Sequence, residues 1–275
     1  MNFVDFFSAL LMGVVQGITE WLPISSTAHL ILAEKLFPMQ VTPEFFDVFK
    51  VVIQFGSILA VLLLYGQRLN PFAETKTWQK TVETWQLWKK IVVGCIPIVL
   101  VGLPLDLFWP DWLSGTTVIA AALIGYGIAF LVIERKNIKV RTATLPELTA
   151  KTAFLIGCFQ VLAVVPGTSR SGATIFGALL LGCSRVAASE FSFFLAVPVM
   201  AGASALKLVK YFVQYGGFTS REVFLLVVGT VTAFAVSLTA IRLLLGYIRK
   251  HTFTAFGVYR ILLGIAVLAC FGVQW

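Results

Sequence analysis

The chain has 275 residues, 59% of them hydrophobic and 12% charged, with a formal net charge of +8 and a mean hydropathy of +0.92. Soluble domains carry about 45–50% apolar and roughly 25% charged residues, so this composition could not cover a surface against water and a soluble domain is excluded. Long apolar runs such as Val51–Tyr65 and Val118–Ile133 have no period of two, which argues against an outer-membrane barrel and for an all-α polytopic membrane protein.

The N-terminus, Met1-Asn2-Phe3-Val4-Asp5, lacks a basic leader and the apolar stretch after it contains Glu20, so this segment is expected to stay in the mature protein. Residues 3–36 are apolar at both ends but are interrupted by Pro23-Ile24-Ser25-Ser26-Thr27. Three runs at 48–65, 91–109 and 117–134 then read as full spans. Residues 153–183 repeat the interrupted pattern around Pro166-Gly167-Thr168-Ser169-Arg170-Ser171-Gly172, and spans at 187–212, 223–246 and 257–275 follow. Broken segments of this kind suit helix–loop–helix hairpins that enter the membrane and turn back. The fold expected is therefore six transmembrane helices and two re-entrant hairpins in one integral membrane domain, 1–275.

Charge supports that count. If the two hairpins return to their own side, the loops 66–90, 135–152 and 247–256 share one face, and they hold most of the basic loop residues, including Arg68, Lys76, Lys80, Arg135, Arg141 and Arg249. The opposite face has only Arg221 in its loops, although Lys35, Lys50, Lys207 and Lys210 lie near helix ends. The basic loops are thus expected in the cytoplasm and both termini outside. The positive charge is explained by topology and does not call for nucleic acid.

The chain also repeats. Leu11-Met12-Gly13-Val14-Val15-Gln16 before Pro23 parallels Leu155-Ile156-Gly157-Cys158-Phe159-Gln160 before Pro166, and each is followed by three spans. An odd number of spans makes the second unit enter from the other face, giving an inverted-topology repeat of 1–134 and 153–275 whose hairpins would meet near mid-membrane.

Ionisable groups at membrane depth are costly and usually functional. The first hairpin carries Glu20 and His29, with Gln16 four residues before Glu20 and on the same helix face. The second carries Arg170 among hydroxyls and glycines. Ser25, Ser26 and Thr27 can cap one new helix, and Ser169 or Ser171 another that runs through Thr174. Two helix N-termini, Arg170 and up to six hydroxyls would make an anion site, with Gly167 and Gly172 admitting an oxyanion close to the backbone. Glu20 would repel a bound phosphate unless protonated, bound to a divalent cation or active as acid or base, which favours catalysis. His29 is then a candidate nucleophile, proton shuttle or hydroxyl activator.

Blander readings stand beside these. Single hydroxyls in membrane helices mostly bond a carbonyl one turn back. His29 could pack, and Arg170 could neutralise Glu20. Glu190, Arg185 and Asp47 read as helix-start or interfacial groups and His251 as a solvated loop residue. Trp109 and Trp112, and Trp78, Trp85 and Trp88 in the 66–90 loop, read as interfacial anchors. Cys95, Cys158, Cys183 and Cys270 have no metal-ligand spacing and read as small packing residues.

The segments from Gln16 to His29 and from Pro166 to Thr174 resemble the two signature segments of the bacterial undecaprenyl pyrophosphate phosphatase family, and 52–61 and 188–193 are similar as well, so the resemblance spans nearly the whole chain. That family accepts Glu or Gln at the position of Gln16, and this chain offers one carboxylate there rather than two. The resemblance implies hydrolysis of the C55 isoprenoid diphosphate to the monophosphate and phosphate, carrier-lipid recycling in a bacterial plasma membrane, and bacitracin resistance. It ties Glu20, Ser26, His29 and Arg170 to catalysis and Ser169 and Thr174 to the diphosphate. It also implies a divalent cation, Mg²⁺ or Ca²⁺, for which Glu20 is the ligand candidate, and no organic cofactor. The remaining substrate-binding candidates are Gln16, Ser25, Thr27, Gly167 and Ser171. The partners expected are the prenyl diphosphate lipid, entering from the outer side, and the bilayer, with a homodimer left open. The rival reading is a secondary transporter or flippase for an anionic prenyl lipid, because broken helices in inverted repeats are a transporter signature.

Overall fold

In a computed structural model the described residues are 3–74, 76–102, 104–105, 108, 115–136 and 138–272. Trp109 and Trp112 lie outside them. The α-helices whose bounds these residues define are α1 (Phe3–Thr19), α2 (Ser26–Leu36), α3 (Pro43–Leu64), the short α4 (Gly66–Leu69), α5 (Trp78–Pro97), α6 (Thr116–Arg135), α7 (Ala150–Val161), α8 (Arg170–Leu180), α9 (Arg185–Tyr215), α10 (Ser220–Ile248) and α11 (Thr254–Phe271). Thr142 and Cys183 add an isolated parallel bridge.

Six helices are long and apolar enough to cross a membrane: α3, α5 with its extension to Gly102, α6, α9, α10 and α11. Large apolar side chains such as Leu63, Val92, Val209, Leu243 and Leu262 stay exposed on them, as a lipid-facing surface requires. The two interrupted segments each fold as a pair of shorter helices, α1 with α2 and α7 with α8.

The span boundaries differ from the sequence reading at α5. Residues 78–90 were expected in a polar loop, yet they are helical, so Trp78, Trp85 and Trp88 stand on α5. Thr77 caps its start by accepting from the Lys80 N–H, and the run of Gln, Lys, Glu and Leu has good helix propensity despite its polarity. Pro97 ends the regular ladder by removing a donor, and one π-helical turn, Ile98–Gly102, follows.

The chain divides into two compact units. The first comprises Met1–Trp21, Ser26–Leu64 and Ala196–Leu243. Its core holds Met12, Phe45, Phe49, Ile53, Tyr211 and Leu225. Gly13 and Gly17, one turn apart on α1, let that helix approach α10 closely, since a Cβ on Gly13 would lie 2.7 Å from the Gly229 carbonyl oxygen. Asp5, fully buried near the start of α1, pairs with Arg221 and accepts the Gln40 N–H at 2.7 Å.

The second unit comprises Leu22–Ser25, Tyr65–Leu195 and Leu244–Trp275. Here α5 packs on α7 and α6 on α11. Both contacts run through glycine: a Cβ on Gly157 would stand 2.1 Å from the Gly94 oxygen, and one on Gly127 would stand 2.7 Å from the Gly257 oxygen. Glu134 accepts from Arg185 Nε at 3.0 Å and from the Phe253 N–H at 2.9 Å, joining the ends of α6, α9 and α11.

Candidate active site

The first unit carries the carboxylate. α1 continues its hydrogen bonds to Glu20, whose N–H donates to the Gln16 oxygen at 3.0 Å, and the four-residue spacing puts both side chains on one face. Gln16 Nε2 donates to Glu20 Oε2 at 2.9 Å, and Ser26 Oγ donates to the same oxygen at 2.8 Å. Gln16 is fully buried and Glu20 is 5% exposed. Ser26 opens α2, and His29 is half-buried one turn further on, at the i+3 spacing that shares a helix face with Ser26. Thr27 is exposed in the same turn.

The second unit carries Leu22–Ser25 of the first break and the whole of the second. Ser25 and Ser169 each precede the first residue of a helix, and each holds a positive φ, 75° and 71°. Left-handed backbone is uncommon for serine and marks a locally imposed conformation. Ser169 caps α8 by accepting the Gly172 N–H at 3.1 Å, and its hydroxyl lies 3.1 Å from that of Ser171. Ser171 Oγ donates to the Leu22 carbonyl at 3.1 Å, so the two breaks touch. Arg170 donates from Nη1 to the Ser192 carbonyl on α9 at 2.8 Å. Thr174 Oγ1 gives its proton back to the Arg170 carbonyl at 2.9 Å, which makes Ser192 Oγ the donor in their 2.6 Å contact.

Arg260 on α11 is the residue the sequence reading missed. It is fully buried, and among the described residues no carboxylate pairs with it. Nη1 donates to the Pro23 carbonyl at 3.0 Å, and Nη2 donates to Gly167 and Thr168 at 3.0 and 2.9 Å. One guanidinium therefore holds the first break to the second, with its carbon 5.3 Å from the Tyr126 ring centre. A planar fork of five donors suits a ring of carbonyls as an ammonium would not. The available signal was an arginine inside an apolar span, which is costly enough to need a reason. Ser192 was likewise passed over, although it sits in one of the family-like stretches.

The glycines of the second break make room for this clamp. Gly167 has φ +90°, and a Cβ there would lie 2.5 Å from the Ile119 carbonyl oxygen; one on Gly172 would lie 3.0 Å from Arg260 Nη1. The side groups fall as expected for helix-start and interfacial residues: Glu190 pairs with Arg68, Arg185 with Glu134, and Asp47 with Lys50, while His251 is exposed. Cys183 differs from the expectation, since it lies in the turn after α8, where burial pushes its thiol up to about 11. Among the described residues no three His, Cys, Asp or Glu side chains gather into a metal-binding cluster.

Comparison with known proteins places these residues in context. A family profile described as "Bacitracin resistance protein BacA" matches residues 9–266. A protein of Streptococcus equi subsp. equi named undecaprenyl-diphosphatase is 49% identical over 266 residues, covering 96% of this chain and 95% of the relative. One of the same name from Streptococcus pyogenes serotype M3 is 49% identical over 270 residues, covering 98% and 97%.

Proposed function

The chain belongs to the family of the bacitracin resistance protein BacA, and we propose that its two chain breaks build the phosphate site of an undecaprenyl-diphosphatase. It is a multi-pass membrane phosphatase that converts undecaprenyl diphosphate to the monophosphate with release of inorganic phosphate, so recycling the carrier lipid. The observation that carries the site assignment is the Ser26 hydroxyl donating to a buried Glu20 carboxylate at 2.8 Å, a nucleophile already in contact with its base.

In this reading Ser26 Oγ attacks the terminal phosphorus of the diphosphate while Glu20 takes its proton. The bond from that phosphorus to the bridging oxygen breaks, and undecaprenyl phosphate leaves. Glu20 passes that proton to the departing phosphate oxygen; water then attacks the phosphoseryl group, Glu20 takes one of its protons and returns it to Ser26 Oγ, and inorganic phosphate departs with the other. Gln16 fixes the orientation of Glu20 by donating to it. Arg170 and the N-terminus of α8 supply positive potential for the charge on the equatorial oxygens. Ser169, Ser171 and Thr174 shape that N-terminus, Ser25 and Thr27 border Ser26, and Gly167 keeps the second break compact. His29 is a proton carrier rather than the nucleophile in this scheme.

A single carboxylate fits a divalent cation held mostly by phosphate oxygens, the usual arrangement for Mg²⁺, and Glu20 would be the protein's ligand. Such a cation would neutralise negative charge on the diphosphate.

We read α1–α2 and α7–α8 as re-entrant hairpins. At about 1.5 Å per residue, the 11-residue helices α2 and α8 reach only about half of a ~30 Å hydrocarbon core. The matching positive-φ serines and the common placement of Gln16 and Gln160 before them support an inverted repeat. The site is taken to open to the outer face, with both termini there, because the basic loops mark the cytoplasmic side.

The test is an acid quench of the purified chain turning over a C55 diphosphate labelled in its terminal phosphate. Label surviving acid on Ser26 is the expected result, since phosphoserine resists acid and phosphohistidine does not. Label on His29 under alkaline quench, with none on Ser26, would assign the attack to the imidazole.

A further inference from the structure

A basic cavity in the second unit is lined by none of the residues assigned to the reaction. Beside α4, the start of α5 and the 142–149 loop is a cavity of about 320 Å³ lined by Arg68, Lys76, Lys80, Glu83, Thr84 and Lys90, among others. Four cations and one carboxylate face it. Arg68 is compensated, since its Nη1 donates to both oxygens of Glu190 at 2.9 Å. The lysines are not. Lys76 donates to the Thr84 hydroxyl, Lys90 donates to the Leu145 and Pro146 carbonyls at 3.2 and 2.9 Å, and among the described residues none of the three lysines makes an ion pair. Partial burial, then the neighbouring Lys80, hold the Lys76 ammonium below its usual range, as crowded cations do.

The position of the cavity points to its occupant. Outside the lining but on the same stretch of chain, Phe72 and Trp78 are 79% and 81% exposed, and Trp85 packs edge-on against Phe72 at 5.9 Å. Exposed tryptophans at the end of a span sit at headgroup level, and Trp78 and Trp85 stand on the polar first turns of α5, before its apolar half. An anion at that depth is a lipid phosphate. A zwitterionic headgroup brings its own cation against three lysines, whereas a glycerol headgroup does not. We propose that this cavity binds the phosphate-bearing headgroup of an anionic phospholipid at the membrane surface.

The test uses the full chain purified in detergent and native mass spectrometry with equal amounts of phosphatidylglycerol and phosphatidylcholine. The wild type is expected to retain phosphatidylglycerol several-fold over phosphatidylcholine. Lys76→Gln/Lys80→Gln is expected to lose that preference while hydrolysing the prenyl diphosphate in detergent at the wild-type rate. Lys80→Gln alone, at an exposed position with no side-chain bond, should show an intermediate loss and guards against misfolding. Equal retention of the two lipids by the wild type, or an unchanged preference in both variants, overturns the proposal. Displacement of the lipid by millimolar inorganic phosphate would also overturn it and reassign the cavity to a soluble anion.

Discussion

The Ser26 hydroxyl and the Glu20 carboxylate lie 2.8 Å apart, and the same carboxylate oxygen takes the Gln16 amide proton at 2.9 Å. Glu20→Gln keeps the volume and a hydrogen bond but removes the base. General-base contributions are typically about 10²–10⁴-fold. We expect kcat to fall within that range, with KM and the thermal unfolding midpoint little changed. Ser26→Ala should lose at least as much. Near wild-type phosphate release by either purified variant would remove the pair from the reaction.

Arg260 offers a separate test, because it touches carbonyls rather than the reacting groups. Arg260→Met leaves three buried carbonyls of the two breaks without their donor, and each such loss costs about 1–3 kcal/mol. The expected outcome is a lowered unfolding midpoint together with a fall in kcat/KM. Arg260→Lys should restore part of the stability and less of the activity, since one ammonium cannot reach both breaks with the guanidinium's geometry. Full activity in the Lys variant would show that the fork is not required.

Two glycines predict opposite outcomes. Gly157→Val drives a side chain into the Gly94 carbonyl oxygen, 2.1 Å from the new Cβ, and overpacking of this kind costs about 1–3 kcal/mol or more. Gly125, on α6, has nothing within 4 Å of its Cβ position. There Gly125→Ala should raise the unfolding midpoint, because alanine is about 1 kcal/mol better than glycine inside a helix. Thermal scans in one detergent compare the two.

The 142–149 loop should respond to acid. The Glu147 carboxylate accepts from the Ala143 N–H at 2.8 Å and from the Thr144 hydroxyl at 2.9 Å, and these bonds hold its pKa below the ordinary 4.5. A depressed carboxylate stabilises the folded loop above that ordinary value, and the contribution is lost as pH falls through the lower folded pKa. A carbon-detected titration of Glu147 should therefore give a midpoint below that of a free glutamate. A midpoint at or above 4.5 would contradict the two hydrogen bonds.

Much of this architecture was legible because it rests on local chemistry. The apolar runs marked all six spans, and Pro23 and Pro166 with their hydroxyl clusters marked the two breaks. Spacing alone put Gln16 and Glu20 on one helix face. The start of α5 was hidden, since residues 78–90 are polar and helical together and hydropathy reads only the first property. Arg260 was hidden for a different reason. Its partners are main-chain carbonyls from distant segments, and every residue type has a carbonyl, so no side-chain pattern announces them. Ser192 likewise gains its role only when α9 comes beside α8.

The clamp at Arg260 also bears on the order of biosynthesis. Ribosomes release Pro23, Gly167 and Thr168 long before α11 emerges, so a nascent chain carries both breaks without the guanidinium that ties them. Competence would thus arrive in a single late step, when α11 enters the bilayer, and an intermediate halted before that insertion would hold Glu20, Ser26 and Arg170 yet leave the lipid untouched.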